Sequence, residues 1–325
     1  MRSLTAPIVL IAAALSGVTV PAQDLLALIK STVRQAETPA RNARIAQLAE
    51  QLDRLPDTEL DTKIEGHFAL ETVDATAAHH ATWLIASAKT WDAARRKKYA
   101  PRLVNSYVEL AELLASDGKN DEALALVRRV PTELPDVPTA SKGIAGLLAR
   151  LELIGTAGAP LTAPRWLSMP AGATSLDLKG KVTLIEFSAH WCAPCTQSYP
   201  ALNRFRRAFG AQGFQAVIAT ELYGYFAAAK SLTPDNELAR DRAHFAKHLP
   251  GVAVAIGNQV TITSDGDTLV YSPARDPNHL RYRVGGLPQF YLVDRQGRIR
   301  FVLSGYGPET EAKLLKLVRV LMSES

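Results

Sequence analysis

Residues 181–200 read KVTLIEFSAHWCAPCTQSYP, a short apolar run followed by two closely spaced cysteines. The run 182–187 predicts a buried strand, and the residues after Cys192 predict a helix that begins where the strand ends. On such a helix Cys192 and Cys195 share one face, about 5 to 6 Å apart, which is within the reach of a disulfide. The pattern therefore predicts a dithiol that closes and opens with little backbone movement.

The two cysteines are expected to differ in reactivity. Unpaired backbone N–H groups and the positive end of the helix dipole stabilise a thiolate at a helix N-terminus. There the pKa of a cysteine falls from about 8.5 to between about 3.5 and 7.5. We therefore assign Cys192, at the helix start, as the nucleophile and Cys195, one turn deeper, as the resolving thiol. Pro194 suits the first turn, because its missing N–H would be unpaired there in any case.

The stretch LDLKGKVTLIEFSAHWCAPC, with Pro200 and the later segment GGLPQF at 285–290, resembles the thioredoxin-like reductases of the TlpA/ResA family. The similarity covers about half of the chain, from near Ala159 to the C-terminus, and is specific in the Trp-Cys-X-Pro-Cys and Leu-Pro segments. It implies a thioredoxin-like α/β domain and an activity in thiol-disulfide exchange.

The resemblance also assigns the substrate-binding residues, which are Trp191, Pro194, Leu287 and Pro288. It implies a cis peptide bond between Leu287 and Pro288, which places the Leu287 backbone beside Cys192 to pair with an extended substrate segment. The alternative is an ordinary trans proline in a loop before a strand.

Glu186 occupies the position at which the family carries a buried acid beneath the dithiol. A desolvated carboxyl group has a raised pKa and can take the proton of Cys195 as that thiol attacks the mixed disulfide. The alternative is that Glu186 pairs with a nearby base or reaches solvent. Some family members carry a glutamate three residues after the second cysteine; Ser198 stands there in this chain, so the proton transfer falls to Glu186.

The chain has 325 residues and a net charge of +5, with 37 basic and 32 acidic side chains spread along it. This length allows two domains, and the apolar content of 47% is that of an ordinary globular protein. Because the basic residues form no stripe, nucleic-acid binding is not indicated.

Residues 1–22 have the layout of a cleaved secretory signal, with Arg2, an apolar stretch at 8–15 and small residues up to Ala22, after which we expect cleavage. An uncleaved membrane anchor is the alternative, but the apolar stretch is shorter than the about 20 residues that span a bilayer. We therefore expect a periplasmic or otherwise exported protein. In an oxidising compartment a reducing dithiol must be recharged, which implies a membrane thiol electron donor.

The rest of the chain predicts a helical domain at 23–155, a linker at 156–173 and the thioredoxin-like domain at 174–325. The helical domain is all-α, with prolines such as Pro101 between or at the starts of helices. Residues 107–136 resemble one tetratricopeptide-type helical hairpin that turns at Gly118, and such a domain can bind a protein partner. Predicted strands in the α/β domain are 175–178, 182–187, 214–220, 252–256, 290–293 and 299–303, and predicted helices are 194–209, 236–248 and 309–322. Residues 257–279 are an extra segment whose pattern fits a hairpin turning at 265–267. This segment either shapes substrate choice or is a surface excursion without a role.

The sequence gives little support for a metal site. A zinc site normally needs four ligands, and this chain has no second cysteine pair, so we expect neither a metal nor a cofactor. The pairs His79-His80 and His244/His248 have no carboxylate or cysteine near them in sequence. His190 can stabilise a thiolate or bind substrate, although a solvent-facing loop histidine is the favoured interpretation.

Together these features predict an exported thiol-disulfide oxidoreductase that reduces protein disulfides. The Ala-Pro dipeptide between the cysteines resembles the reducing members of the family and lacks the histidine of strong oxidants. The alternative is a redox-sensing adaptor or scaffold, in which the helical domain binds a partner protein and the dithiol does not turn over.

Overall fold

A computed structural model describes residues 20–73, 76–135, 138–265, 268–272 and 275–324. The chain forms two compact units that divide between Leu110 and Ala111. Residues 1–19, which hold most of the predicted signal, lie outside the described residues. In the part that is described, no helix has both the length and the apolar composition needed to cross a membrane.

The first unit is helical, as the sequence predicts. The predicted apolar faces are buried, with Leu25 and Ile29 of the first helix packed against Leu48 and Leu52 of the second. Burial of such apolar stripes, more than helix propensity, stabilises short helices. The helices are α1 (Ala22–Val33), α2 (Pro39–Asp53), α3 (Leu60–Leu70), α4 (Ala77–Ser87) and most of α5 (Ala93–Ser116), with short 3₁₀ turns at Asp57–Glu59 and Ala88–Thr90.

Pro101 lies inside α5, so the prediction that it falls between helices or at the start of one is wrong. A proline inside a helix removes one backbone hydrogen bond to the carbonyl four residues earlier. Pro101 is exposed, and water can hydrate that carbonyl on the outer side of the helix.

The second unit begins with the end of α5 and continues with α6 (Asn120–Glu133) and α7 (Pro138–Leu151). Helices α5 and α6 flank Gly118, whose φ of +79° is the left-handed conformation that glycine adopts readily. The turn is therefore where the sequence predicts it, whereas the relation to tetratricopeptide repeats stays a prediction. Both α6 and α7 belong to the same compact unit as the sheet, although the sequence places its boundary after residue 155.

A mixed sheet of six strands forms the centre of the second unit, in the order β10-β9-β4-β5-β6-β2. Strand β4 is parallel to β5, and β5 is parallel to β6, while the other pairs are antiparallel. Strand β4 has the predicted bounds. The strands are β1 (Leu161–Thr162), β2 (Arg165–Leu167), β3 (Ser175–Leu176), β4 (Val182–Phe187), β5 (Phe214–Leu222), β6 (Ala253–Gln259), β7 (Thr261–Asp265), β8 (Thr268–Ser272), β9 (Gln289–Val293) and β10 (Ile299–Ser304).

Residues 156–173, predicted as a linker, supply two of these strands. Strand β1 pairs with β3, and β2 is an edge strand of the central sheet because it pairs with β6. Strands of two or three residues show no periodicity that a sequence pattern can reveal, and the partner of β2 lies about 90 residues later in the chain.

Helices cover one face of the sheet and loops cover much of the other. On the first face Leu202 of α8 (Ala193–Phe209), Phe245 of α9 (Pro234–His248) and Leu317 of α11 (Pro308–Ser323) share one core with strand residues. On the second face Leu161 and Tyr282 pack against the sheet. A short helix, α10 (Pro277–Arg281), lies between β8 and β9.

The extra segment 257–279 contains an antiparallel pair, β7 and β8. The strands end at Asp265 and begin at Thr268, as expected for a turn at 265–267, but residues 266 and 267 lie outside the described residues. The predicted hairpin between β9 and β10 is confirmed.

Candidate active site

The two cysteines lie where β4 passes into α8. Cys192 is the residue that caps the N-terminus of α8, and its Sγ accepts a hydrogen bond of 3.3 Å from the N–H of Cys195. The pair is disulfide-bonded, with the two Cα atoms 5.2 Å apart, as the spacing predicts. Cys192 is 5% exposed and Cys195 is 0% exposed. An attacking thiol can therefore reach Cys192 before it can reach Cys195.

Glu186 lies on β4 and is fully buried. This burial raises the pKa of its carboxyl group from 4.5 to about 8, while the hydroxyls of Ser198 and Ser188 act in the opposite direction. The buried acid that the family resemblance implies is present, and the alternative in which Glu186 reaches solvent is wrong. At neutral pH the neutral acid is the favoured form.

The hydroxyl of Ser198 links this acid to the dithiol. Ser198 Oγ lies 2.5 Å from Glu186 Oε2 and 2.7 Å from the carbonyl oxygen of Cys195. A hydroxyl has one proton to donate, so it cannot donate to both oxygens at once. Both contacts are made if Glu186 is protonated and donates to Ser198, which in turn donates to Cys195. The geometry thus agrees with the raised pKa of Glu186.

Two of the predicted substrate-binding residues, Trp191 and Pro194, flank Cys192 in sequence, and Leu287 contacts the core around the cysteines. Trp191 is 42% exposed, and Pro194 is exposed in the first turn of α8. The peptide bond between Leu287 and Pro288 is cis, as the resemblance implies. Leu287 packs against a small core that we name the disulfide cluster, which consists of Ala189, Cys192, Cys195, Tyr223 and Val260.

His190 does not face solvent, so the favoured interpretation from the sequence is wrong. Its side chain is 2% exposed, and its Nε2 lies 3.5 Å from Glu237 Oε1. The ring stacks on Phe226 with a centroid distance of 4.5 Å. The sequence around His190 does not reveal that this side chain is buried, because its partners Glu237 and Phe226 come from a later part of the chain.

Two buried acids on α9 were not singled out in the sequence. Glu237 accepts hydrogen bonds of 2.7 Å from the N–H groups of Tyr223 and Gly224. Asp241 is one turn further along α9, and burial raises its pKa from 3.8 to about 7. Both acids interact with His190, so the loop that carries Trp191 and Cys192 is backed by a cluster of titratable groups.

The extra segment reaches the site at one residue. Val260 is 1% exposed and belongs to the disulfide cluster. Behind it, buried Glu221 accepts from the backbone N–H of Asp276 at 2.7 Å and from Arg275 at 3.2 Å. These bonds hold the end of the segment to the end of β5, while Val260 places the start of the segment against the dithiol.

His67, His79 and His80 lie close together in the first unit. His67 and His80 lie with their Nδ1 atoms 2.8 Å apart, and Asp53 Oδ2 lies 3.6 Å from His79 Nε2, so these histidines have a carboxylate neighbour that the sequence did not reveal. Across the described residues, no group of three or more His, Cys, Asp or Glu side chains is arranged to hold a metal ion.

No protein-family model matches the chain, and no curated protein matches it. Three similar solved structures are a thioredoxin-like superfamily protein, a thiol-disulfide isomerase from Corynebacterium glutamicum and the thioredoxin domain of a thiol-disulfide oxidoreductase from Bacteroides vulgatus. Their identities are 22%, 21% and 18%, with TM-scores of 0.39, 0.37 and 0.33. They cover 52%, 52% and 51% of this chain and 97%, 98% and 97% of their own. The strand order β10-β9-β4-β5, with the cysteines at the start of the helix after β4, agrees with the thioredoxin-like fold expected for this half of the chain.

Proposed function

We propose that this protein is an exported thiol-disulfide oxidoreductase of the TlpA/ResA type that reduces disulfides in proteins. The observation that carries the proposal is the disulfide at the N-terminus of α8, linked through Ser198 to the buried acid Glu186. A helix N-terminus stabilises a thiolate at Cys192, and a buried acid of raised pKa suits proton transfer near neutral pH.

The reaction starts from the dithiol form. The Cys192 thiolate attacks one sulfur of the substrate disulfide, which forms a mixed disulfide and releases the first substrate thiolate. Cys195 then attacks Cys192, the mixed disulfide breaks, and the second substrate thiolate leaves. The substrate gains two electrons, and the protein ends with the disulfide between Cys192 and Cys195.

Glu186 handles the proton in the second step. In the dithiol form its carboxylate takes the proton of Cys195, which makes that sulfur a nucleophile. When the disulfide has formed, the proton remains on Glu186, in agreement with the contacts of Ser198 in the disulfide-bonded structure. Reduction of the disulfide returns that proton to Cys195.

Repeated turnover needs a source of electrons. A membrane protein with its own dithiol can reduce the Cys192–Cys195 disulfide by the reverse exchange, and we propose such a donor. Thiol-disulfide exchange uses the two sulfur atoms of the protein, the two of its partner and a proton acceptor, so the proposed reaction includes no cofactor.

Insulin reduction tests the activity. With a small dithiol as the electron source, the wild-type protein should precipitate insulin chains, and Cys192→Ser should lose this activity. Thr196→Val, a change at the half-buried position next to Cys195, should retain it. The absence of wild-type turnover, together with a stable stoichiometric complex with a partner protein, would instead support the adaptor.

Trapping identifies the substrate. Cys195→Ser cannot resolve the mixed disulfide, so the natural partner should remain attached to Cys192 and should be released by dithiothreitol. Preferential trapping by Cys192→Ser instead would contradict the assigned roles of the two cysteines.

The proposal includes export through a signal at residues 1–22 and a protein partner for the helical part of the chain. Cleavage after Ala22 predicts that the mature protein begins at Gln23, which mass spectrometry of the secreted form can measure. A mature protein that retains residues 1–22 would contradict cleavage.

A further inference from the structure

Glu237 joins two segments of the chain that border the disulfide. Its carboxylate is fully buried on α9, where Oε1 accepts from the N–H of Tyr223 and Oε2 accepts from the N–H of Gly224, both at 2.7 Å. Oε1 also lies 3.5 Å from Nε2 of His190. One carboxylate therefore accepts two hydrogen bonds from the loop after β5 and lies within ion-pair distance of the loop that precedes Cys192.

Aromatic side chains of these two loops lie beside the disulfide, where Trp191 is exposed and Tyr223 is buried. Trp191 packs its ring edge-to-face on Tyr223, with the centroids 5.4 Å apart. Tyr223 belongs to the disulfide cluster, and Tyr225 packs against that cluster at a centroid distance of 6.4 Å from Tyr223. We name Trp191, Tyr223 and Tyr225 the aromatic wall.

The buried side chain of His190 contacts the aromatic wall at Tyr225. Its ring stacks on Phe226 and contacts Tyr225 edge-to-face, with the centroids 5.4 Å apart. Because His190 and Trp191 are adjacent in sequence, the contact between His190 and Glu237 also limits where Trp191 can lie.

We propose that Glu237 is a positioning residue that sets the aromatic wall and so favours polypeptide disulfides over small disulfides. The inference rests on the proposed reductase function. A polypeptide carries side chains on both sides of its disulfide, and these can pack against the exposed Trp191 and the half-buried Tyr225. A small disulfide offers the enzyme little beyond its two sulfur atoms, so the position of the wall matters far less to it.

Glu237→Gln tests the role with little change of shape. The amide presents an NH₂ group to one of the two backbone N–H donors, so one hydrogen bond is lost and two donors face each other. We expect the KM for insulin to rise about tenfold, as for the loss of one hydrogen bond to a charged group, with kcat changed less than about twofold. The rate with hydroxyethyl disulfide and the thiolate absorbance titration of Cys192 should change far less. Asp235→Asn, which removes an exposed acid from the first turn of the same helix, is the matched control and should leave the insulin KM unchanged.

A double-mutant cycle keeps the test decisive if Glu237→Gln also lowers stability. Trp191→Ala removes the exposed part of the wall, so it should itself raise the insulin KM. If Glu237 acts through the wall, the double variant should be little worse than Trp191→Ala alone. Additive losses, an unchanged insulin KM in Glu237→Gln, or equal losses with insulin and the small disulfide would each overturn the inference. A wild-type protein that reduces neither disulfide would contradict the proposed function itself.

Discussion

Ser198 and Glu186 lie 12 residues apart in the chain, yet their side-chain oxygens are only 2.5 Å apart in the core. Ser198 stands where some members of the resembled family carry a glutamate. In this chain its hydroxyl instead connects the buried carboxyl group to the carbonyl of Cys195. The pair joins the strand before the dithiol to the helix that carries it.

Ser198→Ala should shift the pH dependence of mixed-disulfide resolution. When Glu186 ionises, the Ser198 hydroxyl can turn to it, so this contact lowers the pKa of Glu186. Its loss should move the midpoint of the pH–rate profile upward, with roughly a tenfold slower step per pKa unit at pH below that midpoint. Stopped-flow measurement from pH 6 to 10 checks the shift. Thr196→Val is the control, and an unchanged midpoint in Ser198→Ala would contradict the linkage.

Glu186→Gln should stabilise the protein at high pH. The folded pKa is about 8, against an ordinary value of 4.5, so between these values the folded state keeps a proton that the unfolded state has lost. Wild-type stability therefore falls as the pH rises through this range, by up to about 1.4 kcal/mol per pH unit. Glutamine does not titrate, so the free energy of unfolding of the variant does not fall for this reason.

Urea unfolding of the disulfide-bonded protein at pH 5 and pH 8 measures the effect of Glu186→Gln. The advantage of the variant over the wild type should be larger at pH 8. Glu122→Gln, a change of an exposed acid on α6, should show no such difference. An equal effect of Glu186→Gln at both pH values would show that the buried acid has an ordinary pKa.

Acid should destabilise the first unit through His67 and His80. Burial lowers the pKa of His67 from 6.5 to about 2 and that of His80 to about 4. The folded state keeps both rings neutral while the unfolded state takes up protons, so stability is fully present above pH 6.5 and falls as the pH drops toward 4. The slope is about 1.4 kcal/mol per pH unit for each histidine.

Thermal unfolding followed by circular dichroism from pH 7.5 to 4.5 checks this slope. His80→Gln can still hydrogen-bond to His67 but does not titrate, so it should reduce the pH dependence. His79→Gln changes an exposed neighbour and should retain the wild-type slope. Parallel curves for wild type and His80→Gln would exclude His80 as a source of acid sensitivity.

Gly66→Ala should destabilise the packing of α3 on α2. A Cβ atom at this position would lie 2.5 Å from Cδ1 of Leu52, which is fully buried. Overpacking of this kind costs about 1–3 kcal/mol in the free energy of unfolding. The smaller side chain of Leu52→Val should recover part of the loss in the double variant, which denaturant unfolding can measure.

Gly146→Ala provides the contrasting substitution for the same measurement. The nearest atom to a Cβ at Gly146 would lie 3.5 Å away, on α7, so an alanine fits there. Helix propensity then favours alanine by up to about 1 kcal/mol. If Gly66→Ala raised the free energy of unfolding by a similar amount, the Leu52 side chain would move aside at little energetic cost.

Local patterns predicted the part of the fold that carries the dithiol. The apolar run of β4 has the expected bounds, and α8 begins one residue earlier than expected, at Ala193. Gly118 and the β9–β10 hairpin were also recognisable, because turn residues act over a few positions. The short strand β2 was missed, since its stability comes from a partner far along the chain.

The candidate site also has some features that local sequence predicts and others that depend on distant residues. Cys192, Cys195 and Glu186 could be selected from their spacing and from a family resemblance. The contacts of His190 with Glu237 and Phe226 could not be predicted from the sequence, because 47 and 36 positions separate these residues from His190. Such pairs form only when separate strands and helices have packed.

The amino-acid sequence by itself determined which thiols can pair, the strand and helix that present them, and the acidic residue placed before them. Hydrophobic period, capping and cysteine spacing act between near neighbours, so they are readable without a structure. Only the tertiary structure decided that Ser198 connects Glu186 to Cys195 and that Glu237 bonds to the loop after β5 and lies next to His190. The reason is physical: burial and long-range hydrogen bonding depend on the path of the whole chain, and these set the pKa of the acid and the shape of the surface around the sulfurs.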